Sequence, residues 1–117
     1  MGLHAVKAFT KYVGTLPAVM VDAQWGSHVA KVGGKVFALC GEDGTSVAFK
    51  VSEISFEGLT ALEGIGQAPY FAKGKWVSVD KGAPLSDTEL KAYIAAAHWM
   101  IVEKLTKKLR AELGLAG

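Results

Sequence analysis

The sequence predicts an α+β fold: a two-layer sandwich in which helices pack on one face of a five-stranded antiparallel sheet. Three observations carry this expectation. Residues Trp25 to Val51 read as two consecutive β-hairpins, turning at Gly33-Gly34 and at Asp43-Gly44, dipeptides suited to turns whose two central residues take positive φ. Ser86 to Glu89 spells a capping box, and Leu90, Ile94, Ala97, Ile101 and Leu105 follow it at helical spacing. Half of the 117 residues are hydrophobic, enough to bury one core, and the length fits a single domain over residues 1–117.

A first helix is expected over Leu3–Val13, where Leu3, Val6, Phe9 and Val13 form one stripe while Lys7 and Lys11 point away. Gly14 and Pro17 end it. Val19–Gln24 reads as the first strand, with a turn at Trp25-Gly26-Ser27. Strands follow at His28–Val32, Lys35–Gly41 and Ser46–Val51. Ser52 caps a short helix near Ile54–Glu63. Gly64, Gly66 and Pro69 mark an irregular connection, and Trp76–Asp80 is the fifth strand. The last helix runs from the capping box to Gly114, its final turns crowded by Lys104, Lys107, Lys108 and Arg110, where cations suit the helix dipole. The order is therefore α-β-β-β-β-α-β-α.

With Asp43-Gly44 as a two-residue turn, Cys40 lies opposite Val47, Ala38 opposite Phe49 and Val36 opposite Val51. These six residues share an apolar face that meets the helices. With Gly33-Gly34 as the neighbouring turn, Val32 opposes Lys35, Ala30 opposes Phe37 and His28 opposes Leu39. The second face then gathers His28, Lys35, Phe37, Lys50 and Trp76. Lysines among aromatics on an open sheet are what stacking and backbone recognition of single-stranded nucleic acid requires. The same residues equally serve to keep a solvent-facing sheet soluble. Lys31 fits this register poorly, since it falls on the core side.

A net charge of +2 and a pI near 8.7 are too mildly basic to argue for nucleic acid by themselves. The single cysteine, Cys40, excludes an internal disulfide and fits a reducing cytoplasm. No signal peptide is expected from the lysine-bearing N-terminus, and Ala92–Val102 is too short to span a bilayer. A cytoplasmic protein with no membrane contact is the expectation.

Cys40 reads as a small core hydrophobe. His4, His28 and His98 lie on separate elements without metal-ligand spacing, and the acids form no pair placed for proton transfer. Gly33-Gly34-Lys35 lacks the rest of a phosphate loop. Nothing points to an enzyme or a cofactor. A small-molecule site would need a pocket near Trp76, Tyr70 and His28. Trp99 projects opposite the main stripe of the last helix, flanked by Ala92, Ala95, Ala96 and Thr106. Either the first helix packs there, or the face meets a protein partner or a second copy of the chain, leaving monomer and homodimer both open.

Several motifs in order resemble a known family. They are Trp25-Gly26-Ser27-His28, then Lys31-Val32-Gly33-Gly34-Lys35-Val36-Phe37-Ala38, then Phe49-Lys50-Val51. Ala68-Pro69-Tyr70, Gly74-Lys75-Trp76-Val77 and Ser86–Leu90 complete the set. From about Pro17 to Leu109 the chain is similar to the MmcQ/YjbR family of small bacterial proteins, departing at His28 and at Ser52-Glu53-Ile54. The resemblance implies a CyaY-like (frataxin-like) fold and DNA binding through a double wing of hairpins. Lys31, Lys35, Lys50 and Lys75 would contact phosphates there, with Trp25, Phe37 and Trp76 supplying stacking. Iron binding by an acidic ridge, the frataxin-like analogy, is rejected because the first helix carries lysines and no acids. The expected function is thus a non-enzymatic binding domain for DNA. The alternatives are a protein-interaction domain using Trp99 or the sheet edge, and a small-molecule binder.

Overall fold

The computed structural model describes residues 2–115. Its elements are α1 (Val6–Val13), β1 (Val19–Gln24), β2 (Ser27–Val32), β3 (Lys35–Gly41), β4 (Ser46–Lys50) and α2 (Glu53–Thr60), then β5 (Ile65–Gln67), β6 (Trp76–Asp80), α3 (Asp87–Lys104) and α4 (Lys107–Glu112). The strands form one antiparallel sheet in the order β1-β2-β3-β4-β6-β5. The sheet therefore has six strands rather than five. The additional β5 is three residues with a central glycine, too short to show an alternation, and it exists by pairing with β6.

The helices gather on one face. Phe9 and Val13 of α1 and Leu90, Ile94, Ala97 and Ile101 of α3 meet Ala38, Cys40, Val47, Phe49, Val77 and Val79 in a single core. The α3 cap forms as expected: the Ser86 hydroxyl accepts from Glu89 N at 3.2 Å, and Glu89 Oε1 accepts from Ser86 N at 3.1 Å. Helix α1 starts later than expected, at Val6, yet the Leu3 side chain is buried in the core, and the Leu3 N–H donates to the Asp87 carboxylate at 3.2 Å. The C-terminal helix is broken in two. Leu105 turns extended (ψ 150°) to reach the core, and the Thr106 hydroxyl caps α4 by accepting from Leu109 N at 3.1 Å. Lys107 and Lys108 consequently open a helix rather than close one, on the side the dipole disfavours.

The β3–β4 register is the expected one, with Cys40 opposite Val47 and Ala38 opposite Phe49. The connection is nonetheless a four-residue loop, Glu42–Thr45, with only Gly44 at positive φ. Asp43 Oδ1 stabilises it by accepting from the Thr45 amide and hydroxyl at 3.1 and 2.8 Å. Strand β4 ends at Lys50, so Val36 does not pair with Val51.

The largest correction lies in β3. Val32 opposes Lys35, but the register shifts between Ala30 and Lys31: Lys31 opposes Val36, whereas Ala30 opposes Ala38. Phe37 is the extra residue of a β-bulge, which reverses the alternation below it. Phe37 is fully buried in the helix-side core, edge-on to His98 at 5.3 Å, instead of lying on the open face. Val36 moves to the open face and Lys31 with it, which removes the misfit of Lys31. His28 opposes Cys40 rather than Leu39 and so shares the helix side of the sheet.

Candidate functional site

The open face reads as three rows of cross-strand neighbours. One row contains Ser27, Gly41, Ser46 and Asp80; the next contains Val29, Leu39, Ala48, Ser78 and Gly66; the third contains Lys31 and Val36, then Lys50 opposite Trp76. The first two rows are built mainly from side chains of at most two heavy atoms. The sheet floor is therefore low there, and a groove of about 550 Å³ lies over Ser27, Leu39, Ser46, Ala48 and Ser78.

The wall is the loop of residues 68–75 between β5 and β6, with Pro69, Tyr70 and Phe71 beside the groove. Gln67 holds this loop. Its Nε2 donates to the carbonyls of Ala68 at 2.8 Å and Phe71 at 3.2 Å, and its Oε1 accepts from Gly74 N at 3.0 Å. Phe71 stacks on Trp76 with centroids 4.0 Å apart. Trp76 faces outward as expected but is only 6 % exposed under this lid. Across the groove stands Trp25, 72 % exposed. Trp25 and Tyr70 both hold left-handed backbone, φ 54° and 69°, rare for bulky side chains.

The sequence-predicted site residues thus divide. Trp25 lines the groove, Trp76 props its lid and Phe37 belongs to the core. Lys31 is tied to Asp22 by a 3.4 Å ion pair, the only ion pair among the described residues. Lys35 is exposed beside the Gly33-Gly34 turn. Lys50 is partly buried, and its ammonium is pushed below the usual lysine range by burial first, then by Lys104 and Lys75 nearby. These cations share one end of the sheet, where Leu105 reaches Gly33 and Lys107 opens α4. Gln67 and Phe71 were not singled out from the sequence, whereas Tyr70 was named beside a small-molecule pocket, although His28, named with it, lies on the helix side of the sheet. Only the neighbouring Pro69 and Gly74 hinted that residues 68–75 form a structured loop.

Trp99 is 44 % exposed. Helix α1 touches α3 elsewhere: the Tyr12 hydroxyl donates to Lys91 O at 2.9 Å, and Lys91 Nζ sits 5.6 Å from the Tyr12 ring. The buried His98 donates from Nε2 to Pro17 O at 2.8 Å, while its Nδ1 has no partner among the described residues. Burial holds its pKa below the usual histidine value. Burial, and then Asp43, push the Cys40 thiol up to about 11. Among the described residues no three histidines, cysteines or acids converge as metal ligands, and no helix is long and apolar enough to cross a membrane.

No curated protein matches the chain. Among solved structures it is similar to the Deinococcus radiodurans protein DR2400, a DUF419 domain, at TM-score 0.83 and 23 % identity, covering 95 % of this chain and 88 % of that one. A Pseudomonas syringae protein is similar at TM-score 0.67 and 20 % identity, covering 80 % of this chain and 96 % of that one. At such identities the likeness speaks for a shared fold. The YjbR family model matches residues 14–100, a span that holds both hairpins, the groove and most of α3. The chain is a member of the YjbR family.

Proposed function

We propose that this domain is a non-enzymatic binding module that contacts DNA phosphates through the lysine-rich end of its sheet. One observation supports the reading above others: Lys50, Lys75 and Lys104 gather at this end, where burial first and then the two neighbouring cations depress the Lys50 ammonium, with no carboxylate paired to any of them among the described residues. Converging cations of this kind are completed by an anionic partner. Lys35 beside the hairpin turn and Lys107 at the start of α4 extend the surface. The aromatic contribution differs from the sequence expectation, because Phe37 is in the core and Trp76 lies under Phe71. Contact is therefore mainly with the sugar-phosphate backbone and carries little sequence preference.

The test is anisotropy of labelled single- and double-stranded oligonucleotides at low salt. The expected result is saturable binding that weakens at least about tenfold in the Lys75→Ala/Lys104→Ala variant, two phosphate contacts being lost. Binding that survives this double change unaltered sinks the proposal.

A further inference from the structure

The groove on the open face is independent of the lysine-end reading, apart from the one residue Lys50. We propose that it is a binding site for a free, small, planar aromatic molecule that carries an anionic group.

Size, shape, exposure and charge point to this occupant. The volume, about 550 Å³, is in the range of small-molecule sites, roughly 300–1,000 Å³. Its floor of Ala48, Ser46 and Ser78 is flat and low, while Trp25 and Tyr70 stand on opposite sides. Exposed aromatic side chains at the groove's rim offer stacking faces to a flat ligand, and the serine hydroxyls offer hydrogen bonds.

Both flanking aromatics sit on backbone that glycine would adopt without penalty. At Trp25 this geometry is set by the two-residue Trp25-Gly26 turn between β1 and β2; at Tyr70 it is costly, and strain of this kind concentrates at ligand sites. Trp25 and Tyr70 are also among the most exposed large apolar side chains of the fold, at 72 % and 105 %. Two exposed aromatic residues lining one groove, Tyr70 on strained backbone, are accounted for by a ligand that covers them. The loop bearing Tyr70 is fixed in advance by the Gln67 amide, which reduces the ordering cost of binding.

Charge selects the anion. Lys50 follows Ala48 on the same strand and the same face, one row or roughly 7 Å from the groove floor. Lys31, the other open-face lysine, is neutralised by Asp22. Lys50 lies outside the groove's lining, one row beyond Ala48, so a carboxylate, sulfonate or phosphate would have to project past the floor to meet it.

Calorimetric titration with three probes tests this: 2-naphthoate (planar, anionic), 2-naphthalenemethanol (planar, neutral) and cyclohexanecarboxylate (anionic, not planar). The expected result is one saturable site for 2-naphthoate, about tenfold or more tighter than either control. Ala48→Leu, which fills the floor, should abolish it, and Lys50→Met should reduce it to the affinity of the neutral probe. Tyr70→Gly guards against a folding defect, since relief of strain should leave the melting temperature equal or higher while naphthoate binding drops. No saturable binding of 2-naphthoate overturns the inference, as does equal affinity for cyclohexanecarboxylate or indifference to Ala48→Leu and Tyr70→Gly. DNA binding by the Ala48→Leu variant is expected to match that of the parent, so failure here leaves the lysine-end reading standing. Loss of DNA binding in the Lys75→Ala/Lys104→Ala variant likewise leaves the groove intact. If Ala48→Leu loses its affinity for DNA and naphthoate together, the groove is no separate site and the inference falls.

Discussion

Two buried titratable residues show how the core sets chemistry at the scale of one side chain. Cys40 lies on the central strand with its thiol directed at the His4 carbonyl, 3.3 Å away. With a pKa near 11, almost none of it is thiolate at neutral pH. A thiol reagent such as DTNB should therefore react with the native protein far more slowly than with the denatured one. Rapid, stoichiometric labelling of the folded protein would contradict this placement. His98 is the mirror case. Its native pKa lies below the ordinary 6.5, so between those two values the unfolded chain binds a proton that the native chain does not. Stability is complete above pH 6.5 and is lost as pH falls toward the native pKa. Melting temperatures measured between pH 7.5 and 5.5 should fall on the acid side. His98→Gln, which keeps a donor for Pro17 O without titrating, should flatten that fall. An unchanged slope would mean that another group carries it.

Individual elements show why the sequence was legible in some places and not in others. The β3–β4 register could be read because Cys40, Ala38, Val47 and Phe49 alternate cleanly about the turn. The β2–β3 register could be read only at its tip, since a bulge at Phe37 leaves no mark in a run of apolar residues. Val36 and Phe37 are both apolar, and only packing against His98 and α3 decides which one turns inward. The break at Leu105 was hidden for a similar reason. Leu105 continues the helical stripe, but its side chain is needed over the hairpin tip rather than on the helix. The same contact supplies a prediction. A Cβ on Gly33 would come within 2.8 Å of the Leu105 side chain, at φ +60°. Gly33→Ala should thus cost about 1–3 kcal/mol through strain and overlap together. Gly34→Ala at φ +79° meets nothing within 4 Å, and the smaller loss expected there isolates the backbone part. Equal losses in chemical denaturation would show that Leu105 does not press on the turn.

Across the whole molecule, charge is sorted along the strands. Glu42, Asp43, Asp80, Asp87 and Glu89 occupy the end at the β3–β4 loop and the start of α3, with Lys81 the cation among them, whereas Lys35, Lys50, Lys75, Lys104 and Lys107 occupy the other. Glu53 and Glu103 dilute the basic end without forming an ion pair among the described residues. A net charge of only +2 conceals this polarity, because composition has no direction. The candidate site was legible to the same limited degree. Lys50 and Trp76 could be assigned to the open face and Trp25 to the turn beside it, but the groove depends on the loop clamped by Gln67, whose contacts no periodicity reveals. The segregation also fixes what DNA binding should look like: a few phosphate contacts at one end, hence modest affinity and a moderate salt dependence.

The salt dependence of DNA binding tests that central claim most directly. With Lys50, Lys75 and Lys104 on phosphates, a plot of log K against log salt should have a slope of about −3, falling to about −1 in the Lys75→Ala/Lys104→Ala variant. A slope near zero, or one that the double substitution leaves unchanged, would contradict it.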